Sequence, residues 1–323
     1  MGIQREIGGF FDLSLPFNDE AEYHKNALRL NSGRNAFLYI LKSKKVKKLY
    51  LPLYICDSIL DTIDDRFIDI EYYHINENME PVQEFNLGTN EYLLYVNYFG
   101  INQENVYRLL KKYDQVIVDN TQAFYYFPFG NEPTFYSPRK FFGVADGAYL
   151  YIDTFLKESL EKDYSFERYE HLLKRVELPA NETYNVFIGN EEKLNRLSLK
   201  KMSRLTSLFL QNIDYDSFKV VRESNFNYYH TRLRSINKLN IDIRQLNGPM
   251  VYPLLCEVEG LKEFLIENKI YIPTYWNDVL KRITQANFEY KMVRYLFPLP
   301  IDQRYNCNDL DRIVKLIEKY ISN

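Results

Sequence analysis

The first two-thirds of the chain alternates short apolar runs with segments of helical spacing, and this alternation limits the folds open to it. The runs typical of buried strands are Lys48–Leu53, Phe67–Tyr72, Tyr92–Asn97, Gln115–Asp119 and Gly147–Asp153. Strands that alternate with helices favour βαβ units around a mostly parallel sheet. The pattern therefore predicts an α/β fold.

Three helices are predicted between these strands from the spacing of apolar residues, and the first of them has Ser32 as its N-cap. Their apolar faces are Ala36, Phe37, Ile40 and Leu41; Ile59, Ile63 and Phe67; and Val106, Leu109, Leu110 and Tyr113. In parallel sheets, chemistry gathers at the carboxyl ends of the strands. This rule directs attention to Pro52–Cys56, Asn97–Gly100 and Asp119–Ala123.

The rest of the chain has a different character. Residues 127–147 are rich in glycine and proline and are predicted to be a loop, and residues 155–212 are charged and helical without a strand signal. After that come helices at Arg222–Leu239, Leu261–Asn268 and Leu310–Ile321, a strand at Met250–Glu257 and an apolar run at Val293–Phe297. We predict a large domain over 1–212 and a smaller C-terminal α+β domain over 213–323.

Composition excludes several classes of protein. The 323 residues carry 41 basic and 44 acidic side chains, and the net charge of −3 gives no field that would attract nucleic acid or an anionic membrane. No apolar run approaches the ~18 residues of a membrane span. Three scattered cysteines and four histidines do not form a metal-binding pattern. Met1–Glu6 lacks the features of a signal peptide, so we expect a cytoplasmic protein.

Several residues could carry chemistry in combination, although each also has a plain structural interpretation. Ser32 and Gly33 open a helix whose free amides could bind a phosphate or simply begin a capped helix. Asp119 ends an apolar strand, where it could hold a cationic ring nitrogen or cap the next turn. Lys140 follows in a proline- and aromatic-rich loop, where it could be a nucleophile toward a carbonyl carbon or a solvated surface charge. Pyridoxal phosphate needs these three kinds of group in one site.

In this combination the sequence resembles the DegT/StrS-type sugar aminotransferases, which are fold type I enzymes dependent on pyridoxal phosphate. Ser32–Ala36 resembles the family's Ser-Gly-Thr-x-Ala phosphate turn, and Leu51–Cys56 resembles its Val-Pro-Ser-Phe-Thr-Phe strand end. Val96–Gly100 resembles Val-His-Leu-Tyr-Gly, and Val118–Ala123 is close to Glu-Asp-Ala-Ala-Gln-Ala. Leu299–Asp302 resembles a Leu-Pro-Leu-His near the family's C-terminus. The resemblance implies a mostly parallel seven-stranded sheet.

The resemblance also implies roles by position. Lys140 would bond covalently to the cofactor and move the proton during transfer, and Asp119 would pair with the pyridine nitrogen. Gln122 would hydrogen-bond the 3-oxygen of the ring. The phosphate would be bound by the backbone amides of Gly33 and Arg34 and by the hydroxyl of Ser137. Relatives of this type are homodimers that complete each phosphate site from the partner chain.

Some positions depart from the family pattern. The position of the ring-stacking aromatic falls on Cys56, so that Tyr54 or another aromatic would stack on the ring instead, and Asp302 replaces a histidine. The partner's Asn-Tyr-Arg phosphate clasp is not visible, and Lys201–Arg204 is the nearest candidate. Beside it, the apolar residues Met202, Leu205, Leu208, Phe209 and Leu210 could form an interface or pack within the chain.

We therefore predict an aminotransferase that uses pyridoxal phosphate and no metal. It would take an amino acid as donor and a keto-sugar, nucleotide-linked, as acceptor, in surface polysaccharide or related biosynthesis. The homodimer would have its active sites at the interface. Two alternatives stay open at this stage. One is a different reaction on the same cofactor, of the decarboxylase, aldolase or racemase type, and the other is a degenerate binding protein without catalysis.

Overall fold

The structure, a computed structural model, describes residues 7–18, 21–64 and 66–322. Met1–Glu6, on which the expectation of a cytoplasmic location depends, lies outside the described residues. Within the described ranges, no helix is both long enough and apolar enough to cross a membrane.

A seven-stranded sheet forms the centre of the larger part of the chain. Its strand order is β1-β7-β6-β5-β4-β2-β3, and β7 alone runs antiparallel to its neighbours. The strands are β1 (Leu28–Leu30), β2 (Lys48–Pro52), β3 (Asp69–Tyr73), β4 (Glu91–Val96), β5 (Val116–Asp119), β6 (Thr134–Tyr136) and β7 (Ala148–Tyr151). The α/β fold with a mostly parallel sheet is confirmed.

Six helices accompany this sheet in the chain. They are α1 (Gly33–Ser43), α2 (Asp57–Leu60), α3 (Gln103–Lys112), α4 (Glu170–Glu177), α5 (Ala180–Asn195) and α6 (Arg204–Gln211). Ser32 caps α1 as predicted, because its hydroxyl accepts a hydrogen bond from a backbone amide of the first turn. The helix predicted on Ile59, Ile63 and Phe67 is wrong beyond its first turn. The helix ends at Leu60, and Phe67, which lies shortly before β3, is exposed to solvent.

The C-terminal part contains a second, two-stranded antiparallel sheet, β8 (Val251–Leu255) with β9 (Leu296–Pro300). Four helices accompany it: α7 (Tyr215–Leu233), α8 (Leu261–Glu267), α9 (Phe288–Tyr295) and α10 (Cys307–Ile321). The predicted strand at Met250–Glu257 and the predicted helix at Leu261–Asn268 are confirmed within two residues at each end. Dividing the chain at residue 212 stays a prediction.

His24 is buried in an aromatic cluster against β7 without a charged partner. Its Nε2 lies 2.8 Å from the carbonyl oxygen of Phe124, and its Nδ1 lies 3.2 Å from the hydroxyl of Tyr151. A neutral ring satisfies both contacts by donating to the carbonyl and accepting from the hydroxyl. Burial lowers the pKa of His24 from 6.5 to about 3.

This burial predicts a dependence of stability on pH. The unfolded chain protonates His24 below pH 6.5 and the folded chain only near pH 3, so the unfolded state binds more protons between these values. The free energy of unfolding should therefore fall, as the pH drops through this range, by up to about 1.4 kcal/mol per pH unit from this group. Denaturant titrations at several pH values between 7 and 4 measure this change in the free energy of unfolding. His24→Gln keeps a donor and an acceptor, and it should show a flatter profile; identical profiles would contradict the prediction.

Candidate active site

A cavity of about 450 Å³ opens at the carboxyl ends of β2, β5 and β6. Side chains from these loops and from the start of α1 form one wall, and the β8–β9 sheet and residues 271–276 form the other. Seven of the eight site residues predicted from the sequence line it: Gly33, Arg34, Cys56, Asp119, Gln122, Ser137 and Lys140.

Lys140 ends a single 3₁₀ turn that directly follows β6. Its Nζ donates a hydrogen bond of 2.8 Å to Oγ1 of Thr121, and the side chain is exposed to the cavity. The surrounding protein lowers the pKa of Lys140 by desolvation, and the negative charge of Asp119 acts in the opposite direction. A lysine with a lowered pKa is neutral more often, and the neutral amine is a nucleophile toward carbonyl carbon.

Asp119 is the last residue of β5, and its side chain is buried at the bottom of the cavity. Its Oδ1 accepts a hydrogen bond of 2.8 Å from the backbone N–H of Thr121. Burial raises the pKa of Asp119, whereas Lys140 and the hydrogen bond from Thr121 lower it. Among the described residues, Oδ2 has no hydrogen-bond partner, so it is available to a cationic N–H donor.

Gln122 is oriented by the turn that follows β4. The backbone N–H of Phe99 donates to its Oε1 at 2.8 Å, and a backbone N–H can pair only with the oxygen of an amide side chain. The Nε2 group is therefore the end that can donate into the cavity. Gly100 in this turn has φ +73°, and a Cβ there would lie 2.8 Å from the carbonyl oxygen of Gln122. Only glycine allows this close approach.

The first turn of α1 forms one end of the cavity. The hydroxyl of Ser32 is already used to cap the helix, but the backbone amides of Gly33 and Arg34 have no intrahelical acceptor because they lie in its first turn. A Cβ at Gly33 would lie 3.8 Å from Thr121 and 3.9 Å from Ser137, so the glycine leaves the space between these residues open. Such a helix start, with a buried hydroxyl opposite, suits a phosphate group.

These groups fit pyridoxal phosphate. The cavity offers an amine nucleophile, a buried carboxylate with one oxygen unused, an amide donor and an open helix N-terminus, which are the groups that this cofactor requires. Basic side chains outnumber carboxylates in the cavity lining, so a net positive charge faces any ligand that enters. The cationic residues are Arg34, Arg139, Lys140, Arg222 and Arg304, and the carboxylates are Asp119, Glu191 and Asp302.

Tyr54, the eighth predicted site residue, does not line the cavity. Its ring is fully buried and packs edge-on against Trp276, with ring centroids 4.6 Å apart. Ile55 and Cys56 line the cavity instead, because the chain bends after β2 and directs Tyr54 into the core. The stacking role expected for Tyr54 is therefore not supported. Trp276 lines the cavity in a left-handed backbone conformation, with φ 55°.

Two residues of the site were missed in the sequence. Thr121 lies inside a motif that we recognised, but no role was assigned to it. Arg222 comes from α7, where no local pattern marked it, and its guanidinium donates to the carbonyl oxygen of Phe141 at 3.0 Å. The guanidinium also lies over the ring of Phe141, 4.7 Å from its centroid. Because Phe141 follows Lys140 directly, Arg222 connects the lysine turn to the C-terminal part of the chain.

The segment predicted as a phosphate clasp or interface is only partly at the surface. Met202 and Leu210 are buried in the aromatic cluster of the large sheet, which is the alternative left open above. Leu205, Leu208 and Phe209 are half-buried. Lys201–Arg204 borders a second cavity and not the one that holds Lys140.

Comparison with solved structures identifies the fold. No protein-family model matches the chain, and no curated protein matches it in sequence. A DegT DnrJ EryC1 StrS aminotransferase from Brucella abortus is similar with a TM-score of 0.63 and 12% identity, over 95% of this chain and 91% of that one. DesV from S. venezuelae, solved with a ketimine intermediate, has a TM-score of 0.63 and 14% identity, over 96% and 91%.

NtdA from Bacillus subtilis, solved with bound cofactor PMP, has a TM-score of 0.65 and 14% identity, over 92% of this chain and 73% of that one. The predicted resemblance is thus confirmed at the level of the fold. The chain has the fold of these aminotransferases along almost its whole length.

Proposed function

We propose that the chain is a pyridoxal-phosphate-dependent aminotransferase that transfers an amino group from an amino acid to a nucleotide-linked keto-sugar. One observation carries the proposal: Lys140, Asp119 and Gln122 line a single cavity together with the first turn of α1. The fold shared with aminotransferases solved with PMP and with a ketimine intermediate supports it.

The proposal gives each of these residues a task. When bound, pyridoxal phosphate supplies a carbonyl carbon for covalent attachment and a ring that accepts electrons. Nζ of Lys140, held in place by Oγ1 of Thr121, would be the amine that bonds to the cofactor and afterwards carries a proton. Oδ2 of Asp119 would accept a hydrogen bond from the ring nitrogen. Nε2 of Gln122 would donate to the ring oxygen.

At the other end of the cavity, the task is to bind and orient. The amides of Gly33 and Arg34, with the hydroxyl of Ser137, bind the phosphate. The Pro298–Pro300 end of β9 and the aromatic residues Tyr275 and Trp276 form the opposite wall of the cavity. The acceptor sugar enters between these two walls.

The test is to add pyridoxal phosphate to the purified protein, reduce it with borohydride and map the modified lysine by mass spectrometry. We expect a change in absorbance on binding and a single modified site at Lys140. Lys174→Ala is the matched control, because Lys174 lies on the surface of α4 and pairs with Glu170 one turn earlier, outside the cavity. Failure to modify Lys140 in folded protein would refute the proposal.

A second measurement separates amino transfer from the alternative reactions on the same cofactor. Glutamate should convert the bound cofactor into its amine form, which is visible as a loss of the aldehyde-derived absorbance band. A decarboxylase, aldolase or racemase would release product while that band persists. A degenerate binding protein would show neither change.

We also propose a homodimer with the active sites at its interface. Exposed large apolar side chains are concentrated in two regions of the described chain, and clusters of such groups mark interaction surfaces in soluble proteins. One region is the N-terminal segment, with Ile7, Phe10 and Phe11, and the other is the stretch from Phe155 to Phe187. Ile7, Phe10 and Phe11 are each at least 97% exposed, so they make almost no contact within the chain.

Light scattering at micromolar concentration should give twice the mass of the chain. The double substitution Phe10→Ser/Phe11→Ser should weaken association, because a stable interface of about 2,000 Å² depends on such aromatic groups. It should leave the circular dichroism of the dissociated chain unchanged, since these rings contact little within it. A monomeric wild-type protein would contradict the proposal.

We infer that this enzyme acts in the cytoplasm on small-molecule substrates. The described residues contain three free cysteines, Cys56, Cys256 and Cys307, which suits a reducing compartment. The net charge of −3 supports neither nucleic acid nor an anionic membrane as a partner.

A further inference from the structure

Arg34 stands apart from the other guanidinium groups of the cavity because it has no partner among the described residues. Arg139 forms a bidentate pair with Glu191 at 2.7 and 2.6 Å, and Arg304 pairs with Asp302 at 2.7 Å. No hydrogen bond or ion pair within the described chain involves the side chain of Arg34, and its Nε is buried without an acceptor. Arg222 donates instead to the backbone carbonyl oxygens of Pro249, Met250 and Phe141, so Arg34 is the guanidinium of the cavity lining that has neither a carboxylate nor a carbonyl partner among the described residues.

The position of Arg34 indicates which ligand group would neutralise it. It is the second residue of α1, so its side chain starts from the turn whose free amides point into the cavity. Gly33 beside it leaves open the space that faces the hydroxyl-bearing side chain of Ser137. Three kinds of anion-binding group therefore lie at this one end of the cavity: backbone amides, a hydroxyl and a guanidinium.

A half-buried cation without a partner is unfavourable, and the pKa of Arg34 reflects this. Burial lowers the pKa of the Arg34 guanidinium, and the nearby positive charge of Arg139 lowers it further. An anion bound at this end would relieve both effects. Guanidinium groups outnumber carboxylates in the cavity lining, and guanidinium groups bind phosphate through paired hydrogen bonds.

We propose that the Arg34 side chain binds the phosphate group of pyridoxal phosphate from within the same chain. The proposal rests on the proposed function, since it takes the cofactor as the ligand of this cavity. The Arg34 side chain would give the phosphate a charged contact in addition to its contacts with the backbone amides and Ser137. Retention of the phosphate would then depend less on a residue from a partner chain.

The experiment compares two ligands that differ only in the phosphate. Dissociation constants for pyridoxal phosphate and for pyridoxal are measured by absorbance titration of the full chain, with wild-type protein, Arg34→Gln and Arg34→Lys. A hydrogen bond to a charged group is worth enough to predict a loss of at least about tenfold in affinity for pyridoxal phosphate in Arg34→Gln. Affinity for pyridoxal should change less than about twofold. Arg34→Lys keeps the positive charge but lacks the planar guanidinium with its paired N–H donors. Its affinity for pyridoxal phosphate should therefore lie between those of wild-type protein and Arg34→Gln.

Each outcome is informative. Equal weakening of both ligands would assign Arg34 to the ring or to the fold and would overturn the proposal. Unchanged affinity for pyridoxal phosphate, with a preference for it over pyridoxal retained in the variant, would overturn this proposal alone. Wild-type protein that shows no preference for the phosphorylated ligand would overturn both this proposal and the proposed function.

Discussion

Replacement of Lys140 by alanine is expected to abolish amino transfer. In the proposed function, the amine of Lys140 is the nucleophile and the same nitrogen moves the proton during transfer, so one substitution would remove both tasks. Pyridoxal phosphate should still bind to Lys140→Ala, since the amides of α1, Ser137 and Asp119 are untouched. The measurement is the glutamate half-reaction, followed by absorbance, together with a separate titration of cofactor binding.

Lys140→Arg separates the loss of the nucleophile from the loss of the charge. Arginine retains a positive charge near Asp119 but stays protonated, and a protonated side chain cannot attack a carbonyl carbon. We expect this variant to be as inactive as Lys140→Ala, whereas Lys174→Ala should be fully active. Activity of more than a few per cent in either variant at position 140 would refute the assignment of the lysine.

Asp119→Asn should slow the reaction strongly while the cofactor still binds. An asparagine cannot keep the pyridine nitrogen protonated, so the ring becomes a weaker acceptor of electrons at the moment when the substrate loses its proton. We expect a loss of about two to four orders of magnitude in the half-reaction rate, or ~3–5 kcal/mol in the barrier. Stopped-flow absorbance with glutamate measures this rate directly.

Asp302→Asn is the matched comparison for this effect. Asp302 also lines the cavity, but its carboxylate pairs with Arg304 in the C-terminal part of the chain. If the rate depends on a specific contact of Asp119, Asp302→Asn should have a much smaller effect on the glutamate half-reaction. Similar losses in the two variants would indicate that the total charge of the cavity matters instead. A rate within threefold of wild type for Asp119→Asn would show that another group holds the nitrogen.

Strand and helix periodicity was enough to predict the sheet, but not its shortest strands. β1 and β6 have three residues each, which is too short for an alternating pattern to stand out. β6 also lies in the stretch that glycine and proline marked as a loop, and it forms because its three residues pair with β7 and two of them, Thr134 and Phe135, also pair with β5. Tertiary pairing thus overrode the local signal.

Some residues of the site could likewise be predicted from the sequence, and others could not. The lysine, aspartate and glutamine lie at strand ends or just after them, and short motifs around them were recognisable. Arg222 and Trp276 reach the cavity from parts of the chain that are distant in sequence, so only the folded structure brings them together. Tyr54, in contrast, was predicted as a site residue but does not line the cavity. The motif located it in the chain but did not determine the direction of its side chain, which is buried in the core.

The placement of Trp276 makes the cavity observable by intrinsic fluorescence. It is the single tryptophan of the 323 residues, and it lies on the wall opposite the lysine turn. Pyridoxal and pyridoxamine forms of a vitamin B6 cofactor absorb in the near ultraviolet, where indole emits, so energy transfer would quench the emission when either form occupies the cavity. Because the two forms absorb at different wavelengths, the degree of quenching would follow turnover in real time, without a label and without background from a second indole.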